Sequence, residues 1–146
     1  KSGAKVVFTS VNGKDKYSNF FEKNLKKINI NTNILNDPNR PTTIKNAIIA
    51  NNYRILKIDT LDNTPINKDI LDFFIDKIKN FKGDCTMFSD FRHGIFNSNS
   101  IPLLIKSIPK GNFKVADSQV ASRWGNISDF KRFDLITPNE KELSSE

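Results

Sequence analysis

Val6-Val7-Phe8, set between Lys5 and Thr9, is a short unbroken apolar run that stops at Ser10-Val11-Asn12-Gly13, and it predicts a strand buried on both faces followed by a turn. From Tyr17 the apolar positions fall at Phe20, Phe21, Leu25 and Ile28, the spacing of one helical face, while Lys16, Glu22, Lys23 and Lys26 occupy the other. The period then shortens to two. Thr42 to Ala50 sets Thr43, Lys45, Ala47 and Ile49 against Ile44, Ile48 and Ala50, and Arg54 to Asp59 sets Leu56 and Ile58 against Lys57 and Asp59. Asn51-Asn52 lies between the two runs, and Asn tolerates the positive φ of a tight primed turn. Residues 42–59 therefore predict an antiparallel hairpin with one wet or ligand-facing side.

Helical spacing returns after Pro65, where Asn67 can cap and Ile70, Leu71, Phe74, Ile75, Ile78 and Phe81 form a broad buried stripe. Cys85 to Phe88 predicts a short strand running into Ser89-Asp90-Phe91-Arg92-His93-Gly94. A third helix is predicted over Ser100 to Ile108 and a strand over Phe113 to Ala116, ending at Asp117-Ser118-Gln119. A last strand, Leu135-Ile136, runs into Thr137-Pro138-Asn139 and a helix start. Strands alternating with helices of this length predict an α/β chain with a mainly parallel sheet, to which the hairpin is appended as a flap.

With 146 residues, 37% of them apolar and 27% charged, the chain suits one soluble domain spanning 1–146. No run approaches the roughly 20 apolar residues of a membrane span. It begins at Lys1 without an apolar leader, so it reads as a piece of a longer soluble protein. A lone Cys85 and a lone His93 exclude an internal disulfide, a multi-cysteine metal site and a histidine cluster. Cys85 reads as a buried thiol and His93 as a solvated loop residue, with a reducing cytoplasm as the expected location. The net charge of +7 comes from scattered lysines without a long basic run and reads mostly as a solvated surface, with nucleic-acid binding through that charge as a third, minor reading.

In an open parallel sheet, ligands bind at the edge where the strand C-termini emerge. The polar clusters expected there are Ser10 to Gly13, Ser89-Asp90, Asp117 to Gln119, and Thr137 to Glu142. Carboxylates at two strand ends and a helix N-terminus at a third supply what phosphate chemistry needs. Each also has a plain reading: Asn139-x-x-Glu142 has the form of a capping box, Asp90 suits a turn cap before Gly94, and Asp117 suits an Asx-turn. There is no Gly-x-x-x-x-Gly-Lys-Ser/Thr loop, no Gly-x-Gly-x-x-Gly and no His-Glu-x-x-His.

The order of motifs carries more than any one of them. Arg40-Pro41-Thr42-Thr43-Ile44-Lys45, Arg54 to Asp59, Ser89-Asp90-Phe91, Asp117-Ser118-Gln119 and Asp134 to Glu142 together resemble the ribokinase/PfkB family of carbohydrate kinases, and within it the heptose-7-phosphate kinase type. The resemblance runs from Lys5 to Glu142. It implies a ribokinase-like Rossmann-type fold with a small antiparallel β lid at about 40–60, and transfer of the γ-phosphoryl of ATP to a sugar hydroxyl with Mg2+.

By the same resemblance Arg40, Thr43, Lys45 and Asp90 lie near the sugar, and Asp117, Gln119, Asn139 and Glu142 on the nucleotide side. Asn139 and Glu142 reach the metal through water. Arg40 and Lys45 suit a phosphorylated sugar, since cationic donors bind anionic oxygens strongly. Ser118 and Gln119 stand where the family often has Pro and Lys, and Ser89-Asp90-Phe91-Arg92-His93-Gly94 departs from a usual Asp-Tyr-x-Lys-Gly pattern. The family's Gly-Gly region would lie before Lys1 and its Gly-Ala-Gly-Asp segment, with the catalytic-base Asp, beyond Glu146. The fragment alone is therefore expected to be inactive, and a homodimer through the lid is expected. A noncatalytic binding or scaffold module on the same fold is the alternative.

Overall fold

Strands β1 (Val7–Gly13) and β2 (Asn31–Asp37) pair in parallel, from Val7 opposite Asn31 to Gly13 opposite Asp37, and helix α1 (Lys16–Lys27) connects them. They belong to the first of two units, Lys1–Asp62 and Asn63–Glu146, of a computed structural model that describes residues 3–118 and 129–140. Helix α1 forms where the sequence predicts. Asp15, in extended conformation, accepts from the Tyr17 and Ser18 N–H groups and so caps two of the four donors that a helix start leaves unpaired.

Two expectations change here. Val6, Val7 and Phe8 are exposed, so β1 is not buried on both faces: its sheet has two strands, and its buried end is Asn12 and Gly13 rather than the apolar run. Strand β2 is an addition. Its Asn31-Thr32-Asn33-Ile34-Leu35-Asn36-Asp37 is rich in residues that strands avoid, and it is held extended by pairing with β1.

The predicted hairpin is present. Strands β3 (Ile44–Ala50) and β4 (Tyr53–Thr60) pair antiparallel in a two-stranded sheet of their own, joined by Asn51 and Asn52 at φ 49° and 60°, the signature of a primed turn. Lys45 stands opposite Asp59 and Ala47 opposite Lys57 on one face; Asn46 meets Ile58 and Ile48 meets Leu56 on the other. Ile48, Leu56 and Ile58 are exposed.

In the second unit β5 (Cys85–Asp90), β6 (Phe113–Ser118) and β7 (Leu135–Ile136) form a parallel sheet in that order. Helices α2 (Lys68–Lys79) and α3 (Ser100–Ser107) contribute Ile70, Phe74, Ile101 and Leu104 to its core, alongside Phe88, Val115, Ala116 and Phe130. Asn67 caps α2 through the Ile70 N–H at 3.0 Å, as expected. Phe88, Phe96, Phe130 and Phe133 pack edge-on or tilted with centroids 5.0–6.4 Å apart. Cys85 corrects its reading: it is exposed, on the same side of β5 as Met87, which is 65% exposed. The architecture is thus mixed α/β, with its parallel strands divided between two sheets and a small antiparallel sheet that pairs with neither. No helix among the described residues is long and apolar enough to cross a membrane.

Candidate active site

In the first unit the strand ends and the hairpin's base meet. The Asp15 carboxylate accepts, besides its two capping bonds, the Thr42 N–H at 2.9 Å and the Thr42 hydroxyl at 2.9 Å, while the Gly13 N–H donates to Thr42 Oγ1 at 3.0 Å. The Thr42 N–H is the largest reason that the Asp15 carboxyl is held below its ordinary value of 3.8, and burial opposes it. The stability Asp15 supplies is therefore present above about pH 3.8 and lost as pH falls through the lowered value.

Arg40 approaches Asp37 at 3.6 Å, both side chains being largely buried, and its Nη1 donates to the Asp62 carbonyl at 3.4 Å. Its guanidinium is engaged at the base of the hairpin. Thr43 and Lys45 are exposed, and Lys45 shares the hairpin's polar face with Lys57 and Asp59, themselves paired at 3.0 Å.

In the second unit, β5 ends at Asp90, whose side chain is 1% exposed. Its carboxylate accepts from the Arg92 N–H at 2.7 Å and from Ser118 Oγ at 3.2 Å, and pairs with Arg92 Nη1 at 3.1 Å. Burial pushes this carboxyl up, against the lowering pull of the Arg92 N–H, the Arg92 charge and the Ser118 hydroxyl. Three donors thus hold the buried Asp90 carboxylate. Arg92 itself holds a left-handed backbone at φ 59°, an uncommon conformation for a residue with a Cβ.

Asp117 is exposed and accepts from Thr137 Oγ1 at 3.1 Å. Asp90 and Asp117 thus emerge at the same edge of one sheet but on opposite faces. Asp90 faces Ser118, its partner in register, and Asp117 is the next residue along an alternating strand. Asn139 is exposed, two residues after Thr137, and Glu140 is helical; Gln119 and Glu142 lie outside the described residues. His93 is half-buried rather than solvated: its Nδ1 is 3.0 Å from Asn63 Oδ1, and its ring lies parallel to that of Phe91.

The Asp15–Thr42 contact and the pairing of Arg92 with Asp90 are additions to the arrangement expected from the sequence. For Asp15 a signal was present, an Asp directly ahead of a helical period. For Arg92 there was none, because its role depends on the left-handed backbone.

Parallel strands with polar C-terminal ends and a separate small antiparallel sheet make this a mixed α/β protein of the kind that binds ligands at its strand ends. The chain belongs to the pfkB family of carbohydrate kinases, whose family model matches residues 1–145. It is 34% identical over 155 residues to the Bifunctional protein HldE of Helicobacter pylori (strain P12), covering 96% of this chain and 30% of that protein. It is 32% identical over 142 residues to the Bifunctional protein HldE of Campylobacter jejuni subsp. doylei, covering 96% and 29%. The chain therefore spans about 30% of the length of these curated relatives. Among solved structures, ribokinase from Giardia lamblia is similar in fold, with a TM-score of 0.71 and 14% identity over 95% of this chain and 46% of that one.

Proposed function

We propose that the chain is part of an ATP- and Mg2+-dependent kinase that transfers the γ-phosphoryl group to a hydroxyl of a sugar or sugar phosphate, with a heptose-7-phosphate-like acceptor as the leading candidate. The reading is carried by the hairpin. In a chain of this family, a two-stranded sheet apart from the parallel strands, with Lys45 on its polar face and exposed Thr43 at its base, suits a lid that contacts an anionic acceptor. Arg40 and Asp90 serve the site in this reading through the segments they hold.

Asp117 and Asn139, with Gln119 and Glu142, are proposed for the nucleotide side. Among the described residues no three His, Cys, Asp or Glu side chains cluster as a metal cage. Asn139, exposed and neutral, fits contact with Mg2+ through the waters that this ion retains. The ion would neutralise phosphate charge, while this chain's residues hold the acceptor and orient its hydroxyl. The catalytic base and anion hole belong, in this reading, to the longer protein, so residues 1–146 alone are expected to be inactive. The cytoplasm is the proposed location.

Replacing Lys45→Ala in the full-length protein is expected to raise KM for the sugar phosphate about 10- to 100-fold, the worth of one charge-assisted hydrogen bond, with a smaller change in kcat. Steady-state kinetics checks this. An unchanged KM for every sugar phosphate, with neutral sugars still phosphorylated, contradicts the assignment.

The apolar face of the same hairpin, Ile48, Leu56 and Ile58, is proposed to pack against a second copy, since an isolated two-stranded sheet with exposed edges is marginal in water. Sedimentation of the full-length protein is expected to give a dimer, and the double variant Ile48→Lys/Leu56→Lys a monomer. A monomeric native protein overturns the pairing.

A further inference from the structure

We propose that Asp15 and Thr42 are positioning residues for the acceptor: they form a latch that fixes the hairpin's entry against the ends of β1 and α1, and with it the direction of Thr43 and Lys45. A carboxylate that only capped α1 would have done its work with Tyr17 and Ser18. Asp15 accepts two further bonds from one residue 27 positions later in the chain, and Thr42 Oγ1 in turn takes the Gly13 N–H.

Thr42 is 8% exposed, whereas all but one of the next eighteen residues are exposed, so the buried structure ends and the hairpin begins at this residue. The approach is close enough to require glycine at position 13. A Cβ there would overlap Thr42 N and lie 2.6 Å from the Arg40 carbonyl and 2.7 Å from Asp15 Oδ2. On the exit side, Arg40 ties the Asp62 carbonyl to the same base.

Both ends of the hairpin are thereby anchored, and a small error at the anchor is amplified along it. With strands rising about 3.3 Å per residue, a tilt of about 10° at Thr42 moves the Lys45 ammonium by about 2–3 Å. A displacement of that size is enough to disrupt acceptor alignment. The functional half of the inference rests on the sugar-kinase reading; the geometric half does not.

Asp15→Asn separates the latch from the cap. Asn caps a helix as well as Asp does through its Oδ1, but it presents an amide N–H2 in place of Oδ2, so it cannot accept the Thr42 N–H. Thr42→Val keeps the shape and removes the hydroxyl, and Thr42→Ser restores it. Hydrogen exchange on this chain is expected to show the Gly13 and Thr42 amides exchanging at least about tenfold faster in Asp15→Asn and Thr42→Val, with α1 and β5 unchanged and Thr42→Ser close to the parent. In the full-length protein the same two variants are expected to raise KM for the acceptor about tenfold, leave KM for ATP unchanged, and be rescued in Thr42→Ser.

Unchanged exchange at Gly13 and Thr42, or faster exchange throughout both units, overturns the latch. Faster local exchange with an unchanged acceptor KM overturns the positioning role. A full-length protein that phosphorylates no sugar overturns the kinase reading and the positioning role together, and the exchange result still decides the latch.

Discussion

Replacing Gly94→Ala is expected to destabilise the second unit by roughly 2–5 kcal/mol, adding about 1–2 for an L-residue in left-handed backbone to about 1–3 for overpacking. Gly94 has φ 86°, and a Cβ there would overlap the Thr64 carbonyl oxygen and lie 2.9 Å from its carbon. Relief by local movement is costly, because the Gly94 carbonyl accepts from the Ile66 N–H at 3.1 Å and from Asn97 Nδ2 at 3.2 Å. The segment that must shift leads directly into Asn67, the cap of α2. Thermal or denaturant unfolding measures the loss. A native-like midpoint in the alanine variant would show that residues 63–66 yield freely.

Replacing Arg92→Met is expected to cost about 3–5 kcal/mol at neutral pH, the usual penalty for leaving one partner of a buried ion pair alone. Asp90 keeps the Arg92 backbone N–H and the Ser118 hydroxyl but loses the cation 3.1 Å away. The pH dependence gives the sign. Burial already raises the Asp90 carboxyl above 3.8 in the folded chain, so its contribution is fully present below that value and is lost as pH rises through the folded value. Without the guanidinium the folded value rises further. The variant is expected to regain stability on acidification relative to the parent, and Asp90→Asn combined with Arg92→Met to recover part of the loss at neutral pH. A loss independent of pH and unrelieved by Asp90→Asn would assign Arg92 a packing role only.

What could be read from the sequence was what is local. The hairpin was legible because both of its determinants, strict alternation and an Asn-Asn turn, sit within 18 residues, and α2 because its cap and apolar stripe are contiguous. Strand β2 was not legible: Asn31, Asn33 and Asn36 argue against a strand, and only pairing with β1 across a helix makes it one. The exposed Val7 and Phe8 show the converse, since an apolar run records strand propensity and not how many neighbours will cover it.

Among candidate site residues, the sequence placed Asp90 and Asp117 at strand ends but not on their faces. That depends on register: Asp90 lies opposite Ser118, and Ser89 opposite Asp117. Asp15 was missed as a hairpin anchor because its partner lies 27 residues away. Arg40 is expected near the sugar from its place in the motif, whereas its contacts with Asp37 and the Asp62 carbonyl are set by the fold and not by any local pattern.

The most direct measurement of the central claim is phosphoryl transfer by the full-length protein, followed as ADP release and by phosphorus NMR of the acceptor, across a panel of sugars and sugar phosphates. A sugar-phosphate kinase gives Mg2+-dependent ADP formation matched by a new phosphate ester on a sugar phosphate. ATP left intact with every acceptor in the panel would contradict that claim.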